Sequence, residues 1–276
     1  MNEQLSDQEL AAALEWLLFF GPKPSAALRY LDFPGVTVTI GSHPDPNNNR
    51  VGLAHLAESE ADAVIDNVIA EFQRAGHGFV WYLTPSSLPL DLARRLTERG
   101  LSRATDVRIA GLAFSLLPEP SAPGSTTEVR SVDISELRKH VNVMADGYGT
   151  PVEHSLATLD RLEAGTAPGF EFVQYLAYEN GAPVAMATGM VDHVRKVTLL
   201  GGGATLPSHR GRGHYRALVQ ARVADARAKG SLAVVTHAVR TTSAPILLSL
   251  DFREVVSIER HVMLAPTAST GAQSRV

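Results

Sequence analysis

The sequence of 276 residues contains no cysteine. That absence excludes disulfides, thiolate-bound zinc and a thiol nucleophile together, while leaving the redox compartment open. No apolar run approaches the roughly 20 residues of a membrane-spanning helix. The start, Met1-Asn2-Glu3-Gln4, lacks the basic region of a secretory signal, so a cytoplasmic protein without membrane contact is expected. An excess of positive charge is also missing. Lys and Arg number 25 against 29 Asp and Glu, a net charge of −4, which argues against a general nucleic-acid binder. The ten histidines show no close paired spacing, so no metal is expected. Gly-Lys-Ser/Thr is absent as well, which excludes a P-loop nucleotidase.

What is present concentrates in one stretch, Thr205-Leu206-Pro207-Ser208-His209-Arg210-Gly211-Arg212-Gly213-His214-Tyr215-Arg216-Ala217-Leu218-Val219. An apolar, strand-like run at 197–206 feeds a loop with two glycines and two arginines, and a helical pattern follows at once. Free N–H groups at a helix N-terminus, with the helix dipole behind them, favour an anion. Gly211 and Gly213 admit close approach to the backbone, and Arg210, Arg212 and Arg216 carry charge suited to phosphate oxygens. The glycine spacing by itself equally suits a tight turn with solvated arginines. A dinucleotide fingerprint would need a third glycine where Arg216 stands.

The whole segment resembles motif A of the GNAT superfamily of N-acetyltransferases, Arg/Gln-x-x-Gly-x-Gly/Ala after a strand that ends near a proline. Arg210 matches the first position and Gly213 the fourth, Pro207 fits the strand end, and Tyr215 departs from the usual small residue. Leu218, Val219, Arg222, Val223 and Ala226 continue at helical spacing to a stop at Gly230. After a strand-like 231–239, the run from Ser243 to Phe252 is similar to the family's second signature, a helix ending in Leu-Gly-Phe, with Asp251 in place of the glycine. The resemblance covers about 127–265, half the chain. It implies a mixed α/β sheet flanked by helices.

The rest of the chain divides around 118–127, a stretch of proline and small polar residues that reads as a linker. A first domain is expected at 1–117, a GNAT-like acyltransferase domain at 128–265, and a flexible tail at 266–276. In the first, Ser6-Asp7-Gln8-Glu9 is a capping box opening a helix over 7–20. Strands follow at 35–40 and 52–56, a helix at 61–75, a strand at 79–83, a helix at 89–99 and a strand at 107–116. The stretch from Trp81 to Pro89 is similar to the first halves of tandem GNAT proteins, yet no Arg-x-x-Gly-x-Gly stands between Gly52 and Ala61. The first half is therefore either a degenerate copy or an unrelated α/β domain. In the second, a strand is expected at 129–132, helices at 134–148 and 155–163, and strands at 170–179 and 184–192 around the turn Asn180-Gly181. After the loop and its helix, a short helix at 244–249 and a strand at 258–264 complete the order.

The resemblance implies acetyl-CoA or a close acyl-CoA as co-substrate. Its pantetheine arm would pair with the backbone of Gly203, Ala204 and Thr205, and its pyrophosphate would sit on the amides of Gly211, Arg212, Gly213, His214, Tyr215 and Arg216, beside Arg210. The three glycines Gly201, Gly202 and Gly203 suit close approach or a bent strand. The implied reaction is direct attack of an amine, from a small molecule or a peptide, on the acyl carbon. Two departures matter. The run 197–206 has no Asp or Glu where many relatives place a base, and the tyrosine acid aligns with Leu247. Substitute groups are His237, favoured by position, and His261, Tyr175, Tyr178, Tyr215 and Tyr148. Asp146, Glu153, Asp160 and Glu163 suit either a cationic amine or a solvated helix face. The expected activity is N-acetyl transfer, with a non-catalytic acyl-CoA-binding or sensing module as the alternative, and homodimerisation is left open.

Overall fold

The computed structural model describes residues 4–105, 109–116 and 127–266. Apart from Thr127 and Pro266, the expected linker and tail lie outside the described residues. The first half opens with α1 (Asp7–Leu17), β1 (Leu28–Phe33), β2 (Val36–Gly41), β3 (Arg50–Gly52), α2 (Ala61–Ala75) and β4 (Phe79–Leu83). It continues with α3 (Leu92–Glu98), β5 (Ser102–Arg103) and β6 (Ile109–Ser115). The second half begins with β7 (Glu128–Val132), α4 (Ile134–Lys139), α5 (Val141–Tyr148), α6 (Val152–Glu163), β8 (Phe170–Glu179) and β9 (Ala182–Asp192). Then come β10 (Val197–Thr205), α7 (His214–Ala228), β11 (Ala233–Val239), α8 (Ser243–Leu248) and β12 (Arg253–Met263). Among the described residues no helix is long and apolar enough to cross a membrane.

The strands form one sheet in the order β1-β2-β3-β4-β12-β6-β11-β10-β9-β8-β7, with β5 beside β12. The two halves repeat one pattern. β1, β2 and β3 form an antiparallel meander, and β4 lies parallel to β3 after the α2 crossover. β8, β9 and β10 do the same, and β11 lies parallel to β10 after α7. The closing strands are exchanged. β6, from the first half, pairs with β11, while β12, from the second, pairs with β4. β6 and β12 then pair with each other and join the halves.

The exchange explains the burial. β4 reads Phe-Val-Trp-Tyr-Leu and is buried throughout, as a strand flanked by neighbours and covered on both faces should be. Phe79 and Trp81 face α2 and α3, while Val80 and Tyr82 face α1. α1 starts at its capping box: the Ser6 hydroxyl accepts from the Glu9 amide, and the Glu9 carboxylate accepts from the Ser6 amide at 2.8 Å. Leu10, Leu14 and Leu17 then pack across the seam onto residues of β4, β6, β11 and β12. α7 and α8 cover the opposite face at β6 and β11.

Several elements differ from expectation. The helix expected at 134–148 breaks at His140, whose backbone (φ −110°, ψ 28°) separates α4 from α5. The strand at 52–56 is confined to Arg50–Gly52 because Leu53 turns to φ 50°. β1 has no counterpart in the reading above, although Pro34-Gly35, with Gly35 at φ 68°, makes the turn into β2. β12 starts at Arg253, five residues before 258, its polar beginning masked by Arg253 and Glu254. Asp251, where the family has glycine, adopts φ 63°; a short polar side chain tolerates that region better than most.

Candidate functional site

Position and shape at the site come from β10. Its register against β9 steps from Leu200↔Gly189 to Gly203↔Ala187, so Gly201 and Gly202 face Thr188 alone. This is a β-bulge, which bends the strand and re-aims its amides. On the other side β10 pairs with β11 only at Val197, Thr198 and Leu199. One further link, from the Thr236 hydroxyl to the Leu200 carbonyl at 2.9 Å, closes the pairing. Beyond it the two strands separate, and the backbone of 201–205 has no strand partner on that side.

A buried arginine holds the bulge. Arg222 on α7 is 1% exposed. Its Nε donates to Leu218 O at 3.0 Å, and one terminal nitrogen donates to Thr188 O at 3.0 Å and Gly201 O at 3.2 Å. Burial lowers its pKa, opposed by the phenols of Tyr215, Tyr148 and Tyr175. Tyr148, the last residue of α5, lies over the same bulge. α5 comes this close because Gly147 has no side chain: a Cβ there would sit 2.7 Å from that of Ala204. A Cβ on Gly202 would meet the Tyr148 hydroxyl at 2.4 Å. Packing of that hydroxyl against the bulge pushes its pKa up to about 12, although the residue as a whole is 46% exposed. At neutral pH Tyr148 is therefore a protonated donor at the bulge.

After β10 the chain makes a short 3-10 turn, Pro207–His209, and reaches α7 through Gly211 (φ 76°) and Gly213 (φ 89°). Gly213 is the N-cap and provides no side-chain acceptor for the first amides of α7. Those amides are the unsatisfied donors of a helix N-terminus. The loop arginines are braces. Arg210 donates to Gly147 O at 2.9 Å and Thr205 O at 3.3 Å, which ties the loop to α5. Arg212 bonds both Glu179 oxygens at 3.1 Å and Ser208 O at 3.0 Å. Burial would raise the Glu179 carboxyl, but Arg212, His209 and His214 hold it below its ordinary value. Arg216 donates to the Ser249 hydroxyl at 3.0 Å. His214 and Ala204 are buried beneath the loop, and Tyr215 packs beside Gly203. Gly203, Ala204 and Thr205 thus end β10, and Arg210 to Arg216 form the loop and first turn of α7 that follow it.

The substitute groups fare unevenly. His237 is already engaged: its Nε2 donates to Leu14 O at 2.8 Å, and burial lowers its pKa to about 4. The ring fastens α1 to β11 and is not a free base. Tyr175 donates to Asp225 at 2.6 Å, and burial with that carboxylate pushes its pKa well up. Tyr178 lies under the Arg130 guanidinium, and His261 is buried in β12 opposite Trp81. Leu247 is core, 1% exposed, and offers no acid. Asp160 and Glu163 pair with Arg138 at 2.8 and 2.6 Å and point away from the bulge. Of the group, Tyr148 lies over the bulge and Tyr215 packs beside Gly203 at its end.

A cavity of about 1310 Å³ opens from the bulge into the space between the halves. Gly201, Gly202, Thr188 and Tyr148 line it together with Arg50, Arg161 and Arg260. Among the described residues no cluster of His, Asp or Glu suits a metal ion. Between β3 and α2, where the repeat would place a second copy of the loop before α7, the chain instead carries Glu58 and Glu60. Arg222, Arg50 and Arg161 were not singled out by the sequence. For Arg222 the signal existed, since a cation within an apolar helical stripe must find carbonyls or a counter-ion.

Residues 141–245 match the model of the acetyltransferase (GNAT) family. No curated protein matches the sequence. A GCN5-related N-acetyltransferase from Kribbella flavida superposes with a TM-score of 0.65 at 17% identity, over 94% of this chain and 95% of that one. A tandem GNAT protein from the clavulanic acid biosynthesis pathway gives 0.59 at 13%, over 95% and 97%. A GCN5-related N-acetyltransferase from Sphaerobacter thermophilus gives 0.56 at 16%, over 83% and 76%. At these identities the likeness is one of fold.

Proposed function

We propose that this chain, in which residues 141–245 form a domain of the acetyltransferase (GNAT) family and the chemistry is therefore acyl transfer, moves an acetyl group from acetyl-CoA to an amine of a small molecule or peptide. The observation that carries the reading is the parting of β10 from β11 beside an α7 N-terminus with no side-chain cap. The open edge at 201–205 offers backbone donors and acceptors to the amide groups of a pantetheine arm. The first amides of α7, reached through Gly211 and Gly213, offer donors to a pyrophosphate.

In the transfer, the amine nitrogen bonds to the thioester carbon and loses a proton, while the carbon–sulfur bond breaks and the sulfur gains one. Tyr148, protonated and at the bulge, is placed to donate toward the oxyanion or the leaving sulfur. Leu247, 1% exposed in the core, cannot supply that proton. With no carboxylate on β10, the amine enters already neutral or loses its proton to water.

Calorimetric titration with acetyl-CoA tests the reading. Micromolar binding is expected, with loss in Gly213→Glu and retention of most of it in Gly213→Ala; a Cβ there meets nothing within 4 Å, so the second variant isolates backbone strain from charge. Tyr148→Phe should keep binding and lower turnover of an amine panel, measured as thiol release. Binding without turnover of any amine would favour an acyl-CoA sensor, to which Leu247 and the carboxylate-free β10 already point. No binding by a folded protein would sink both.

A further inference from the structure

Arg50, Arg161 and Arg260 line the cavity without a counter-ion among the described residues. Arg50 on β3 and Arg260 on β12 flank β4 opposite Val80 and Tyr82, which places both on the face that α1 covers. Arg50 donates to Leu18 O at 2.6 Å, and its Nε is buried with no partner. Arg260 donates to Asn47 at 2.6 Å and also has a buried Nε without a partner. Arg161 reaches the cavity from α6. Among the described residues it has no hydrogen-bond acceptor and no carboxylate beside it. Burial and the nearby Arg50 lower its pKa to about 10, relieved only by the phenols of Tyr30 and Tyr82.

Among the described residues the single carboxylate lining this space is Asp45, whose oxygens serve Asn47 and lie 3.8 Å from His154. Guanidinium groups that line one cavity and are partly withdrawn from water cost stability unless an anion completes them. Their planar donors fit a carboxylate or a phosphate. The same cavity is lined by the bulge, where an amine would react.

We infer that the acceptor is an amine that also carries an oxyanion, its carboxylate or phosphate held by Arg161 and Arg50 while its amine reaches the Gly201-Gly202 bulge. The inference rests on the acyl-transfer reading for its amine and on the arginines alone for its anion, so two readouts keep them apart. In the first, thiol release is followed with matched amines: phenylalanine against phenethylamine, and phosphoethanolamine against ethanolamine. At least one anionic member should be preferred in kcat/KM by on the order of tenfold, the scale of one charge-assisted hydrogen bond. Arg161→Gln should abolish that preference and leave the neutral amine unchanged. Which pair responds distinguishes a carboxylate from a phosphate. In the second, the same four compounds are titrated without acetyl-CoA, so that anion binding is read even if no transfer occurs.

Stability adds a sign that a structural role would reverse. Removing an unneutralised cation in Arg161→Gln should hold or raise the melting temperature of the free protein while weakening anion binding. Equal or better binding and turnover of the neutral amines, an unchanged preference in Arg161→Gln, or no binding of either anionic compound at millimolar concentration would overturn the inference.

Discussion

His237 illustrates how a residue can be placed by position and assigned by geometry. It lies on β11 as the sequence predicted, but its Nε2 donates to the Leu14 carbonyl, so it serves the α1–β11 contact. Burial lowers its pKa from 6.5 to about 4. The neutral ring is therefore favoured by the fold, and the unfolded chain takes up a proton first as the pH falls. The stabilisation is complete above about pH 6.5 and is lost progressively toward pH 4, up to about 3 kcal/mol from this residue. Urea unfolding at a series of pH values should show that slope in the native protein. His237→Gln should flatten it; an unchanged slope would mean that the ring is not titrating. At this scale the glycine-rich loop before α7 was legible, because Gly211, Gly213 and Arg210 lie together in sequence. Tyr148 was only one tyrosine among several, since nothing local says that Gly147 lets α5 descend onto Ala204. The braces made by Arg210 and Arg212 depend equally on distant partners, Gly147 and Glu179.

Among the elements, α1 has the most consequence for its length. Its start was legible from Ser6 and Glu9, and its apolar face from Leu10, Leu14 and Leu17. What it packs on was not, because β4, β6, β11 and β12 come from both ends of the chain. Leu14 is fully buried there. Leu14→Ala should cost about 2–5 kcal/mol, read by chemical denaturation. A loss below about 1 kcal/mol would show that α1 is loosely seated. Elements with strong local signals, such as α2 with its Gly76 cap and the β8–β9 hairpin at Asn180-Gly181, match their expected bounds closely. Elements decided by tertiary pairing do not. β1 is a sheet edge, β5 is two residues long, and the first turn of β12 is charged.

For the whole molecule, the sheet order binds the halves. β11 has β6 on one side, and β12 has β4 and β6. Division of the chain at 118–127 remains a proposal about its repeat. Independent folding of the pieces is not expected, because residues 127–276 alone would leave β11 without β6 and β12 with neither strand beside it. Expressed alone, that fragment should lack a cooperative thermal transition by circular dichroism, whereas the full chain should show a single one. A sharp transition in the fragment would refute the mutual dependence. The repeat itself was partly legible, in the order helix, strand, helix, strand. The exchange was not, since strand order within a sheet leaves no mark on strand sequence.

The exchanged strands also set a timetable for synthesis. β12, which fills the seam between β4 and β6, is the last of the described strands in chain order and leaves the ribosome after all the others. Until it emerges, the first half presents the bare edge of β4, a strand whose residues are all buried in the finished protein. The nascent chain therefore carries an adhesive edge from the synthesis of β4 until that of β12, and its folding depends on how well that edge is guarded meanwhile.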